Sequence, residues 1–353
     1  MLSRRLQRIY TKLEQAGLDG LIISFPANIS YLVDYRIRDS YLIVSKKANI
    51  FITDFRYIEE AKRNIKIALI RKMNGSVFKL IADACLDLKL KAIGFEERHL
   101  PFAEYKKLNE EFNKKADLIP TFGLVEELRE IKSPQELEKI KEAVAINIRA
   151  FKFIQGLIGC GVREIEIAAE LERFIRYNGA YSSAFDIIVA SGPNSSLPHH
   201  ITSSRKVKNN EPVLIDCGVD YLGYKSDLTR VFFSGKITSI IRSVYDIVLK
   251  AQDKAIKEIK AAVNIDKIDR VARQYIAQRE YGGFFGHNLG HGIGLEVHEA
   301  PHISGKEKSK LKAGMVFTVE PAVYLPGRFG IRIEDMVLVT EEGVELLSGN
   351  LDK

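Results

Sequence analysis

Cysteine is scarce in this chain: three residues in 353, at Cys85, Cys160 and Cys217. They are odd in number, far apart and outside metal-site spacing, which argues against a disulfide framework and for a reducing, cytoplasmic setting. Long apolar runs are also missing. No stretch approaches the ~20 apolar residues needed to span a bilayer, so no membrane partner is expected. The opening Met-Leu-Ser-Arg-Arg-Leu-Gln-Arg-Ile-Tyr has basic residues with no apolar segment behind them, unlike a secretory leader. Short-period repeats and low-complexity tracts are absent too, which argues against a repeat architecture.

What is present is ordinary soluble material, 46% hydrophobic and 28% charged, enough for a sizeable core. At ~150 residues per domain the length gives about two domains. The formal charge of +7 lies wholly in residues 1–124, while 125–353 is neutral. A basic segment could meet nucleic acid. Here the charges are scattered along helix-like patterns with no aromatic-interleaved RNA-binding signature, so a solvated basic face is expected and no nucleic-acid partner.

Residues 1–124 alternate between element types. Leu2, Leu6, Ile9 and Leu13 recur at helical spacing, and Gly17 is placed to end that helix. Gly20-Leu-Ile-Ile-Ser reads as a buried strand, and 41–45 with 49–53 as a strand pair. A helix over 57–63, a strand near 67–70, a helix over 76–88 and a strand at 92–95 follow, the alternation of an α/β layer domain. Past Gly123 the pattern changes. Ser133, Pro134 and Glu136 form a capping-box signature that opens a long amphipathic helix to about Leu157. Further helices are expected at 164–177, 239–259 and 265–279, with strands at 185–190, 213–216, 229–233, 315–324 and 331–339. The chain is therefore expected to be α/β (α+β), with domains at 1–124 and 125–353.

Chemistry-bearing residues collect in the second domain, where six of the seven histidines lie between His199 and His302. Asp216 ends the run Val213-Leu-Ile, where a lone buried carboxylate is costly unless paired or bound to a metal. Asp227 precedes Leu228-Thr-Arg-Val-Phe-Phe. If 218–223 closes a hairpin centred near Tyr221-Leu222, the two aspartates fall opposite each other, ~4.5–5.5 Å apart at Cβ. Carboxylates that close repel unless they share a proton or a cation. Taken alone, both read more readily as solvated edge or turn aspartates. Glu320, held extended by Pro321, and Glu334 repeat the arrangement about a turn at Pro326-Gly327, whose centre is their midpoint. His287 and His291 have the i, i+4 spacing of zinc-binding helices. Gly290, Gly292 and Gly294 make a helix there improbable, and an extended strand is expected, with glycines permitting close backbone approach. Four carboxylates and one imidazole suit two hard or borderline divalent cations better than a single structural zinc.

This ordered set, Asp216, Asp227, His291, Glu320 and Glu334, sits in Tyr-Leu-Gly-Tyr-Lys-Ser-Asp-Leu-Thr-Arg, Gly-His-Gly-Ile-Gly-Leu-Glu-Val-His-Glu and Ile-Arg-Ile-Glu-Asp-Met. Together they resemble the pita-bread metallopeptidases, and within them the Xaa-Pro dipeptidase (prolidase) and aminopeptidase P branch. The resemblance implies a creatinase-like amino-terminal domain, which methionine aminopeptidases lack, and a pita-bread catalytic domain. It implies those five residues as ligands of two divalent metal ions, manganese or cobalt first and zinc or iron next. Asp216 and Asp227 would serve mainly one ion and His291 and Glu320 the other, with Asp227 and Glu334 bridging. It further implies His199 as a substrate-orienting, proton-handling group, His298 as the oxyanion partner, Glu320 as a proton relay, and His287, Arg332 and Tyr224 as substrate-side residues. His200 stands where the family often has a small residue and receives no role. The expected substrates are proline-containing dipeptides or short peptides, and the expected assembly a homodimer.

After His298-Glu-Ala-Pro many dipeptidases carry an arginine, whereas this chain has His302. A neutral imidazole anchors a free carboxylate less well than a guanidinium fork, so longer peptides stay open beside dipeptides. Two other readings remain: a non-catalytic peptide-binding module on the same scaffold, and metal-free creatinase-like hydrolysis. Retention of all five ligand residues disfavours both. Cys217, beside Asp216, reads as a buried packing thiol.

Overall fold

The structure is a computed structural model that describes residues 2–353; the side chain of Leu2, assigned above to the helical stripe, lies outside the described residues. The chain divides into two compact units, one ending at Arg129 and one spanning Glu130–Lys353.

The first unit is a six-stranded sheet in the order Leu69–Lys72, Ile50–Thr53, Ser40–Ser45, Gly20–Ile23, Ala92–Glu96, Asp117–Thr121. Ser40–Ser45 pairs antiparallel with both neighbours, and the remaining pairings are parallel. Ile22, Ile43, Ile52, Ile81, Leu108 and Phe112 are buried together between sheet and helices. Helices Pro26–Val33 and Phe102–Phe112 and the strand Asp117–Thr121 have no counterpart in the sequence expectations. That strand carries Pro120 and lies mostly exposed, as an edge strand can, so it lacks a hydrophobic signature.

In the second unit the helix Pro134–Gln155 starts where Ser133 predicts, the Ser133 amide donating to Glu136 Oε2 at 3.0 Å. Helices Glu164–Tyr177, Ser239–Lys257 and Ile265–Ala277 follow their apolar periodicity. Two of these helices, Pro134–Gln155 and Glu164–Tyr177, bury Ile140, Phe151 and Leu171 with Ile215 and Val316 of the sheets. The other two bury Val248, Ile268 and Ile276 with Phe317, Ile331 and Val337. Antiparallel strands thus lie between two helix pairs, and because Val316 and Phe317 belong to different cores, strand alternation feeds both faces. The two long strands expected at 315–324 and 331–339 are each broken. They become Val316–Val319 with Ala322–Leu325, and Phe329–Arg332 with Asp335–Val339, the breaks falling at Glu320-Pro321 and Ile333-Glu334.

Hairpin register decides which side chains meet. Tyr221 pairs with Tyr224, so the first turn is Leu222-Gly223, at φ 49° and 90°. Two consecutive left-handed residues make the type I′ turn that suits the twist of a tight hairpin. The turn centre is thus about one residue later than expected, and Asp216 faces Thr229 rather than Asp227. Continued one step, that register sets Asp227 across from the Gly218 position, diagonal to Asp216 on the same sheet face. The second hairpin keeps the expected centre. Both Ala322↔Arg332 and Val319↔Asp335 are symmetric about Gly327, which sets Glu320 against Glu334.

Candidate metal centre

Asp227, Glu320 and Glu334 sit just outside a strand or at a break in one, whereas Asp216 is paired within its strand, with Ile188 on one side and Thr229 on the other. The Glu320 amide donates to the Leu289 carbonyl and the Glu334 amide to the Thr229 carbonyl, so the breaks are themselves hydrogen-bonded. His291 is the middle residue of the short strand Gly290–Gly292. A Cβ on Gly290 would run into the Thr318 carbonyl, and one on Gly292 into that of Ala300. Only glycine on both sides lets the backbone of His291 lie this close to its neighbours.

Ligand atoms of Asp227, His291 and Glu334 lie within 4.8 Å of one another. His291 Nε2 is 3.4 Å from Glu320 Oε1 and 3.7 Å from Asp227 Oδ2. Asp216 is close enough to act electrostatically on Asp227, Glu320 and Glu334. All five side chains therefore converge on one buried spot.

The electrostatics of that spot are unfavourable without added positive charge. Burial pushes Asp227 far above the usual carboxylate range, and Glu334, Asp216 and Glu320 push it further. Burial raises Glu334 in the same way, reinforced by Glu320 and Asp216, and lifts Glu320 to about 8. Burial also depresses His291 to about 3, which leaves its ring nitrogens neutral at physiological pH. Asp216 Oδ1 and Asp227 Oδ1 are buried without a hydrogen-bond partner. Oxygen donors that are buried, mutually repelling and unpartnered, beside a neutral imidazole, fit divalent cations.

Neighbouring groups hold the ligand atoms in place. Thr229 Oγ1 donates to Glu334 Oε2 at 2.7 Å, and Thr318 Oγ1 to Glu320 Oε1 at 3.3 Å. Sequence reasoning passed over both threonines. Each stands two residues from a cluster acid on its strand, Thr229 from Asp227 and Thr318 from Glu320, and that spacing is the signal that could have found them.

Arg332, expected on the substrate side, is buried, and its donors go to Asp216 Oδ2 (2.6 Å), the Tyr324 hydroxyl (2.7 Å), Thr229 Oγ1 (3.1 Å) and the Pro198 carbonyl (3.2 Å). A guanidinium so occupied braces the cluster, and it takes one oxygen of Asp216 while leaving the other. Tyr224, also expected on the substrate side, is buried in a core, and its hydroxyl donates to Glu136 Oε1 at 3.1 Å, tying the hairpin to the first helix of the unit.

The other histidines ring the cluster. His287 reaches the Tyr324 hydroxyl through Nε2 at 3.2 Å, and its Nδ1 is 3.9 Å from Glu320 Oε2; burial lowers its pKa to about 4. The His298 ring lies 4.3 Å from that of His291, centroid to centroid, and feels the charge of Asp216. His199 is exposed and close enough to act electrostatically on both His287 and His298. His302 is exposed on the strand beside His291.

Paired hairpins that deliver four acids to one histidine strand, backed by helices on both faces, define a metallohydrolase of the pita-bread class. Residues 138–341 match metallopeptidase family M24, and residues 5–131 match the creatinase/prolidase N-terminal domain. The chain belongs to metallopeptidase family M24. It is 33% identical over 350 residues to the Xaa-Pro dipeptidase of Pyrococcus furiosus, covering 98% of each protein. The structure of an Xaa-Pro dipeptidase from Bacillus anthracis superposes with a TM-score of 0.96 at 39% identity, over 99% of this chain and 98% of that one. An X-Pro aminopeptidase from Thermotoga maritima gives 0.88, also at 39% identity, over 96% and 97%.

Proposed function

We propose that this chain hydrolyses the peptide bond preceding proline in Xaa-Pro dipeptides or short Xaa-Pro-led peptides, with two divalent cations held by Asp216, Asp227, His291, Glu320 and Glu334. The observation that carries the reading is the pair of buried, unpartnered oxygens, Asp216 Oδ1 and Asp227 Oδ1, with His291 Nε2 3.7 Å from Asp227 Oδ2. Bound there, the cations supply Lewis acidity toward the scissile carbonyl and lower the pKa of water enough for attack near neutral pH. Manganese or cobalt suits this oxygen-rich set with its single nitrogen.

The protein's own groups do the rest. Glu320 Oε2, free of the Thr318 bond that engages Oε1, takes the proton from water and passes it to the leaving proline nitrogen. His298 donates a ring N–H to the developing oxyanion, and His199 orients the substrate from the rim. His287, bonded to Tyr324, lines the wall beside Glu320. The exposed His302 stands where many dipeptidases carry an arginine, and an imidazole holds a free carboxylate less firmly than a guanidinium, which favours acceptance of tripeptides beside dipeptides.

The test is chelation followed by add-back of manganese or cobalt, assayed on Xaa-Pro dipeptides, Xaa-Pro-Yaa tripeptides and Met-Xaa controls. Expected are loss on chelation, recovery on add-back, turnover of both proline series and none of the controls. Xaa-Pro hydrolysis that survives complete metal removal refutes the reading.

A further inference from the structure

The loop that carries His199 converges on one buried carboxylate. Glu164, the first residue of its helix, is fully buried, and its oxygens accept from the amide and hydroxyl of Ser191 at 2.7 Å each. They also accept from Asn194 Nδ2 at 2.9 Å, from the Ser203 hydroxyl at 2.5 Å and from the Ser203 amide at 3.2 Å. His200 Nε2 completes the set at 3.0 Å, with a side chain only 9% exposed. Burial works against the charge of Glu164, yet the bonds from Ser203 and Ser191 hold its carboxyl below the usual range.

Both ends of the loop, 191 and 203, are thus pinned to one point, and His199 lies between two closer tethers. One residue before it, the Pro198 carbonyl accepts from Arg332, which also holds Asp216. One residue after it, His200 is bonded to Glu164. The turn Gly192–Ser196 is docked as well, Ser195 Oγ accepting from the Gly330 amide at 2.9 Å. An exposed histidine on a loop fixed immediately on both sides loses little freedom when a substrate arrives, and such preorganisation lowers the barrier.

We propose that His200 and Glu164 are positioning residues that act through His199, holding its imidazole toward the substrate; this rests on the functional reading above. The tether is separable from the fold. Without His200, Glu164 keeps its bonds from Ser191, Asn194 and Ser203, so no buried charge is stranded.

The experiment compares His200→Ala and His200→Gln, each alone and in a His199→Ala background, using metal-loaded enzyme and an Xaa-Pro dipeptide. Misplacement of a substrate-orienting group gives an expected fall in kcat/KM of about tenfold for His200→Ala. Its Tm and metal stoichiometry stay at wild type. Glutamine sets an amide nitrogen near the position of Nε2, so His200→Gln returns to within about threefold of wild type. In the His199→Ala background, His200→Ala changes kcat/KM by less than about twofold, the non-additivity of residues acting as a unit. Independently of activity, the His199 ring resonance in metal-free protein shifts in His200→Ala and is restored in His200→Gln. Equal losses in both backgrounds, wild-type kcat/KM in His200→Ala, or a His200→Ala chain that fails to fold each overturn the proposal. A wild-type enzyme inactive on every Xaa-Pro peptide overturns the functional reading instead, and the resonance then decides the tether alone.

Discussion

Arg332 offers the sharpest test of the cluster's electrostatics, because it brings positive charge into direct contact with a cluster acid. Arg332→Met keeps an unbranched stem of similar reach and removes every donor. Asp216 Oδ2, the Tyr324 hydroxyl, Thr229 Oγ1 and the Pro198 carbonyl all lose a partner. In metal-free protein the buried Arg332–Asp216 pair is then broken with nothing to replace it. Removing one partner of a buried ion pair costs about 3–5 kcal/mol. For a domain of 150–250 residues that is roughly 6–20 °C in unfolding midpoint. Added manganese supplies the missing counter-charge, so the gap between variant and wild type narrows by about 1.5–3 kcal/mol, the share of one charge-assisted hydrogen bond. Denaturant unfolding of both proteins, with chelator and with saturating metal, measures the two gaps. A gap of the same size in both conditions refutes the idea that Arg332 and the cations answer the same carboxylates.

Three further outcomes follow from the same structure. His298→Ala should lower kcat by ~10²–10³ with metal content unchanged, measured by steady-state kinetics and metal analysis; normal turnover removes it as the oxyanion donor. Gly290→Ala drives a Cβ into the Thr318 carbonyl and displaces the strand of His291, so calorimetry should find one metal site weakened or lost, and full binding would refute the close-approach argument. Glu96, in the first unit, accepts from the Ser24 and Phe25 amides at 2.7 Å and Asn28 Nδ2 at 2.6 Å, yet burial raises it to about 7. The folded chain therefore keeps a proton that the unfolded chain releases above ~4.5, so this stability is complete below ~4.5 and lost as pH passes 7, up to about 3 kcal/mol. Unfolding at pH 5 and 8 should show that fall in wild type and a flatter profile in Glu96→Gln, and identical profiles would count against it.

Much of this architecture can be read along the chain. The capping box at Ser133 and the apolar stripes of Glu164–Tyr177 and Ile265–Ala277 are local signals, set by residues within a few positions of one another. Asp216, Asp227, Glu320 and Glu334 stand out because each interrupts an apolar strand pattern, where a charge is costly without a reason. Gly290 and Gly292 flag a close backbone approach in the sequence itself. Gly327 fixes the second hairpin, because a symmetric turn leaves one register that keeps both strands in the core.

Other features belong to tertiary structure alone. The first hairpin turns at Leu222-Gly223, since the left-handed turn matches the strand twist, and that moves Asp227 to a diagonal from Asp216. The destinations of Arg332 and Tyr224 depend on partners at positions 198, 216 and 136, far away in sequence. Glu164 and the segment 191–203 are joined across a gap that no periodicity spans. Local patterning determined which side chains carry charge into the strands and which segments coil into helices. How those charges are shared depends on long-range packing, because burial and Coulomb coupling act between groups close in space however far apart they lie along the chain.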